Sequence, residues 1–577
     1  MNLDIHRPHR ALPALGLAAL FSLYAVTGPQ AETVVIGGGS PDAIPWSAGF
    51  SSAAFVDFDT NPGHLQPAQN GAEDNLSLKL VERGGTITSP NARVVLEVSQ
   101  SNLNDLLKNM VDGRDRAFQM NVPGGTGIIF RIDLGGRFGV NRIRFFPRVE
   151  FEEDFLRGYQ LALNDGSEEQ RTLSGSPDLR VLKVDENNLH PVIDIPIPLQ
   201  FVRYIEVKQL VRGEWEIDEF QIFGEGFASS ASYLSTVFDQ GRPAVFGNLT
   251  WSMGTIGEPT KVRATVATRS GTTPDPTDSL AWSGWSPPYP AGQPLRVTSP
   301  APRRYWQFRA DLSSTGILEA ATIDSIAVEV AAAAADSLTA EVWPQTAAIG
   351  ESTELHYWVR SVNSRGFDRL RIATQEPEAL IRSVQIDGAD VQWEQTDVDN
   401  GVQVAFPRIT GDRLLHVVFD SIALQYNTVF AGMVFDSRRP NDLPQNVESG
   451  DATSGPFGLG ADLSVTVQVA EHTLHALRVT PVPFTPNGDG VNDNATITYD
   501  IANLTSAAPV TVEVFDLSGR LRRTIESGPR ASGRFRAEWD GNQDNGKRVP
   551  PGIYVLRVQV EADTGAEYRT AIVPLVY

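Results

Sequence analysis

Along most of the chain apolar and polar positions alternate with a period of two. Clear runs cover residues 127–135, 140–146, 159–163, 203–207, 215–223, 261–269, 304–312, 354–359, 414–420, 510–517 and 552–558. In 304–312, Tyr305, Gln307 and Arg309 share one face, while Trp306, Phe308 and Ala310 share the other. Side chains of a strand point alternately to opposite sides, so this pattern predicts half-buried strands that cover a core with one face. Shorter strands are expected at 54–58 and 76–81, and residues 103–109 predict one short helix. The expected fold class is all-β, several β-sandwich domains in tandem.

Length and turn residues divide this pattern. A chain of 577 residues exceeds what one hydrophobic core supports, and 50 Gly with 38 Pro supply the turns a many-stranded chain needs. The expected units are 45–226, 228–330, 336–470 and 477–577, with the alanine run 331–335 as a join. The third unit begins with Pro344 and Gly350-Glu351-Ser352-Thr353, then Tyr357, as the first two strands of an Ig-like sandwich commonly do. Residues 1–31 read as a secretory leader: Arg7, His9 and Arg10 precede the apolar run 11–26, and Ala31 offers a cleavage point. The run is too short to predict a membrane span, and no later segment is longer.

Charge and composition narrow the chemistry. The formal net charge of −22 argues against nucleic acid as a partner, since that requires a basic footprint. Cysteine is absent, which excludes disulfides, thiolate nucleophiles and cysteine-ligated metals. Eight histidines leave little material for imidazole catalysis, and no nucleophile-elbow, zinc-protease or phosphate-loop motif is present.

Two stretches carry candidate chemistry. Phe484-Thr485-Pro486-Asn487-Gly488-Asp489-Gly490-Val491-Asn492-Asp493 alternates oxygen-bearing side chains with glycines. A calcium ion held by Asn487, Asp489, Asn492 and Asp493 and a plain Asx/Gly turn both account for it. Trp282 and Trp285, in a Trp-Ser-Gly-Trp run beside prolines, are either an aromatic platform for a sugar ring or plugs at a sandwich edge.

The last unit resembles the Ig-like domain of the flagellar hook-cap protein, which recurs at the C-termini of exported bacterial proteins, often beside gliding-motility or type IX sorting tails. Four segments carry the resemblance: the 484–493 loop, Val514-Phe515-Asp516 with Gly519-Arg520, Trp539-Asp540-Gly541 with Gly546, and Pro550-Pro551-Gly552 with Tyr554. The first unit resembles the discoidin, or coagulation-factor type C, family of galactose-binding-like jelly rolls. Its marks are Asp112-Gly113, the 127–135 strand, Tyr159 with Leu161 and Asn164-Asp165-Gly166, Arg203-Tyr204-Ile205, and Glu219-Phe220 closing at Gly224. That resemblance implies a structural calcium at Asp112, Asp115 and Glu219.

The expectation is an exported, non-catalytic bacterial surface or secreted protein. It would be a binding or adhesion scaffold with a glycan or cell-envelope component as partner and a C-terminal assembly or sorting module. The alternative is an accessory or catalytic chain of a secreted carbohydrate-degrading enzyme.

Overall fold

A computed structural model describes residues 31–121, 126–376, 379–399, 401–453, 461–468, 472–563 and 565–577. The leader-like run 11–26 lies outside the described residues. The fold is all-β, built from four sandwich cores, each with its own buried apolar cluster.

The first core is built on a six-stranded sheet. Arg180–Asp185, Tyr159–Asn164, Ile193–Gln209, Ile129–Phe146 and Glu219–Phe223 lie side by side, and Thr86–Thr88 also pairs with Ile129–Phe146. Ile129–Phe146 is one strand where the alternation suggests two: Gly135, with φ 81°, and Gly136 let it bend, and its pairing with Ile193–Gln209 shifts register there, between Asp133 and Phe138. The helix is present at Gln100–Lys108, where the Ser99 side chain caps the Asn102 amide and Leu103 and Leu107 are buried. Residues 76–81 form turns, not a strand. Leu76 and Leu80 are the buried pair, four apart, which a helical turn puts on one side.

The second sandwich is assembled from two distant parts of the chain. Glu32–Gly37 pairs antiparallel with Ala320–Ala332, and Phe50–Ala54 pairs with Ser230–Ser235. The stretch 45–58, expected in the first sandwich, therefore contributes to the second, and the first sandwich is an insertion within it. Burial explains the placement. Trp46 is 1% exposed, packs edge-on to Tyr233 at 5.2 Å between ring centroids, and accepts a 3.1 Å hydrogen bond on its carbonyl from the Tyr233 hydroxyl.

The third sandwich is dominated by two 21-residue strands, Thr353–Ala373 and Gly401–Ser421, paired antiparallel along most of their length. The C-terminal unit stacks a three-stranded sheet (Leu474–Thr480, Ala495–Ile501, Gly533–Trp539) on a four-stranded one (Leu521–Arg530, Ala508–Asp516, Gly552–Ala562, Gly565–Leu575). Its sequence motifs meet in the core: Trp539 packs 5.1 Å from Phe484 and 5.3 Å from Tyr554, and the Tyr554 hydroxyl donates to the Pro550 carbonyl at 2.6 Å. Gly541, at φ 75°, lies against Pro486, where a side chain would collide with the proline ring. Among the described residues no helix is long and apolar enough to cross a membrane.

Candidate functional site

At the closing strand of the first sandwich the polypeptide changes sheets. Trp215–Ile217 pairs with Phe118–Met120, and Glu219–Phe223 pairs with Ile129–Phe146. Asp218 and Glu219 sit at this switch, next to the Asp112-Gly113 turn. The floor of a cleft of about 480 Å³ is formed here, with Asp115, Asp218 and Glu219 in its lining and Leu78, Phe146 and Phe223 on its walls.

The carboxylates are unequally satisfied. The Gly113 amide donates to Glu219 Oε1, and Gly113 can sit so close because its φ is 70°. Among the described residues Glu219 Oε2 is sealed from solvent without a hydrogen-bond partner, and Asp218 Oδ1 and Gln221 Oε1 are in the same condition. Burial, against the pull of the Gly113 amide and with the charges of Asp218 and Asp112 adding to it, pushes the Glu219 carboxyl up to about 7. Burial and the neighbouring Asp115 raise Asp218 as well. Nearby Glu216 shows the opposite outcome. Burial works to raise it, but Arg148 and Gln119 donate to it, Arg148 at 2.8 Å, and its carboxyl is held below the ordinary range.

Of the residues expected to hold calcium here, Glu219 and Asp115 line the cleft. Asp112 is turned to its own loop, accepting from the Arg114 amide at 2.9 Å and pairing with Arg116. Among the described residues no three His, Asp or Glu side chains converge as a complete ligand set. The residues that could face a hard cation here are Glu219 and Asp218, through their unpartnered oxygens. Asp218 was not singled out from the sequence. Its signal is the Asp-Glu pair where the alternation of 215–223 slips by one residue.

In the C-terminal loop the structure brings Asn487, Asp489 and Asp493 together, with their oxygens turned to the loop itself. Asp493 accepts from the Gly488 and Gly490 amides at 2.6 and 2.8 Å, and Asp489 accepts from the Val491 amide at 2.8 Å and from the Asn487 side chain at 3.0 Å. Asn487 returns an acceptor to the Asp489 amide at 2.9 Å. Asn492 contributes its backbone carbonyl, to the Thr485 amide at 2.8 Å, and stands at φ 57°. The loop closes on its own hydrogen bonds as a set of Asx turns.

Trp282 does not present a ring to solvent. It is 6% exposed, lies against Gly271 and donates its Nε1–H to the Thr273 carbonyl at 2.9 Å. Trp285 is half-buried, with the Arg269 guanidinium 4.6 Å and that of Arg309 5.2 Å from its ring centroid.

Residues 488–565 match the family model of the FlgD Ig-like domain. Similar solved structures are small binding modules. One is a module of Clostridium perfringens in complex with GalNAc-β-1,3-galactose (16% identity, 24% of this chain, 94% of that one, TM-score 0.19). Another is a Streptococcus pneumoniae fucose binding module (17%, 27% and 99%, TM-score 0.20). A third is chitosan-binding module 1 from a Paenibacillus sp. chitosanase/glucanase (17%, 26% and 100%, TM-score 0.20). Among curated proteins none matches.

Proposed function

We propose that this chain is an exported, non-catalytic binding scaffold whose first sandwich recognises a glycan or cell-envelope component. In this reading Glu219 and Asp218 hold calcium, and the C-terminal Ig-like unit serves assembly or sorting. The observation that carries it is the cleft at the sheet switch, where buried, unpartnered carboxylate oxygens lie beside apolar walls. A polyhydroxylated ring needs both kinds of surface: acceptors or a cation for its hydroxyls, and apolar contact for its C–H faces. Bound calcium would supply a fixed positive charge, and the chain's own carboxylates would place it.

A glycan array with the full chain, run with calcium and with chelator, tests the reading. Calcium-dependent binding that Glu219→Gln abolishes is the expected result. Release of sugar from any polysaccharide would establish the enzyme alternative instead, and absence of binding to every glycan and envelope fraction would remove the reading.

A further inference from the structure

Strand Gly565–Leu575 lies at the end of the four-stranded sheet; among the described residues it pairs with Gly552–Ala562, over eleven residues without a register shift, and otherwise with Phe484 alone, by one bridge at Leu575. Its outer side is identified by its capped end. The Phe484 amide donates to the Pro574 carbonyl and the Val576 amide to the Phe484 carbonyl, both at 3.2 Å, so the even-numbered residues direct their backbone groups outward. At Tyr568, Thr570 and Ile572 no hydrogen bond within the described residues satisfies those groups.

Sheet edges are normally blunted by charge, proline, bulges or brevity. The opposite edge of the same sheet, Leu521–Arg530, has all but the last: Arg522, Arg523 and Pro529, with two register shifts. The edge strand of the first sandwich, Arg180–Asp185, has Lys183 and a bulge. The open part of Gly565–Leu575 has no bulge, its one charged residue, Arg569, is turned away to the Leu474 carbonyl, and its three outward-bonding residues are uncharged strand formers. Tyr568 and Ile572 are 64% and 66% exposed. Ile572 also ends an apolar row across the sheet: Leu521 faces Phe515, Phe515 faces Val555, and Val555 faces Ile572.

We propose that this edge pairs with the same edge of a second copy, antiparallel about a two-fold axis through Thr570. In that register Thr570 opposes Thr570 of the second copy, and Tyr568 opposes Ile572 of the second copy twice over. Glu567 and Arg569 fall opposite valine and alanine, so no like charges meet. The apolar row of one sheet then runs into that of the other, and the outward amides and carbonyls of Tyr568, Thr570 and Ile572 gain partners. Self-complementarity of this kind is what an isologous dimer requires. Strand addition by a different protein satisfies the backbone equally but gives no reason for the Tyr568–Ile572 match. The proposal does not depend on the ligand of the first sandwich.

The chain has no cysteine, so Thr570→Cys introduces its only thiol. Directly opposed residues lie within disulfide reach in such a pair. Mild oxidation of the full chain is expected to yield a covalent dimer with Thr570→Cys and not with Ser527→Cys on the opposite edge. Sedimentation of the unmodified chain should show a dimer, and Tyr568→Lys with Ile572→Lys should weaken it by about tenfold or more. These two side chains point to solvent, so an unchanged circular-dichroism spectrum confirms that the fold is kept. A chain monomeric up to about 0.1 mM, or equal cross-linking at both positions, overturns the proposal and leaves the edge to a foreign strand.

Discussion

The Gly113 amide is hydrogen-bonded to Glu219 across a sequence separation of 106, and among the described residues the Glu219 carboxylate receives no other hydrogen bond. Folding shifts a buried acid so poorly compensated toward its neutral form. Because its folded value, about 7, lies above the ordinary value of 4.5, the stability it contributes is complete below 4.5 and is lost as pH rises through about 7. Without divalent ions, the melting temperature of the first sandwich should therefore fall between these values, and Glu219→Gln should flatten that fall. With calcium, the wild-type chain should recover stability above pH 7 while the variant does not. Differential scanning calorimetry with calcium and with chelator measures both effects.

His416 makes the reverse prediction. Its Nδ1 lies 3.3 Å from Gln385 Oε1 and its Nε2 3.0 Å from His356 Nδ1, and its ring stacks on Trp358 at 4.6 Å. With Nδ1–H donated to Gln385, Nε2 accepts from His356, and a proton added there would break that bond. Burial, with the His356 charge adding, lowers the His416 imidazole to about 4. The associated stability is present above 6.5 and is lost as pH falls through about 4. His416→Gln should reduce this acid-side loss, and Trp358 fluorescence followed against pH is the readout.

Arg534 ties the last two units together. It pairs with Asp500 at 2.7 Å in its own unit, reaches Glu376 of the third sandwich at 3.4 Å and donates to the Gly350 carbonyl at 3.1 Å. The Asp500 and Glu376 side chains are only 2% and 12% exposed. Arg534→Ala leaves two buried carboxylates without their cation, and a loss of about 3 kcal/mol is expected. Urea unfolding should show the two units melting apart where the wild-type chain melts them together. Ile422, Leu424 and Ala502 form a small apolar cluster at the same junction, so a residual contact should survive in the variant.

In the 484–493 loop, Asp493→Ala removes the acceptor of two backbone amides and should destabilise the C-terminal unit by about 1–2 kcal/mol. Because the loop closes on its own hydrogen bonds, that loss is expected with calcium or chelator alike. A melting temperature that depends on calcium and loses the dependence in Asp489→Ala would assign an ion to the loop instead.

Local pattern was enough wherever the determining contacts are near in sequence or repeat at a short period. The all-β class follows from alternation, because a strand needs only its own residues to show which face is buried. The C-terminal unit was legible through its turn and motif residues, Gly541 at its positive φ and Tyr554 bonded to the nearby Pro550 carbonyl, although Trp539 and Gly541 also pack against Phe484 and Pro486 far back in the chain. The stretch 76–81 reads as a strand in the sequence and folds as turns, because two buried leucines four apart suit a helical turn and six residues are too few to separate periods by composition.

What only the tertiary structure decided depends on residues far apart in the chain. That 32–54 completes the second sandwich comes from Trp46 meeting Tyr233, an association no local pattern encodes. Whether Trp282 offers a ring or plugs a strand depended on Gly271 leaving space beneath it. Asp218 became a candidate ligand only when folding enclosed its Oδ1 beside Glu219 and left that one oxygen without a donor among the described residues. Alternation specifies which side of a strand faces inward, but burial of a particular atom is a sum over distant neighbours, and that sum exists only once the chain has folded.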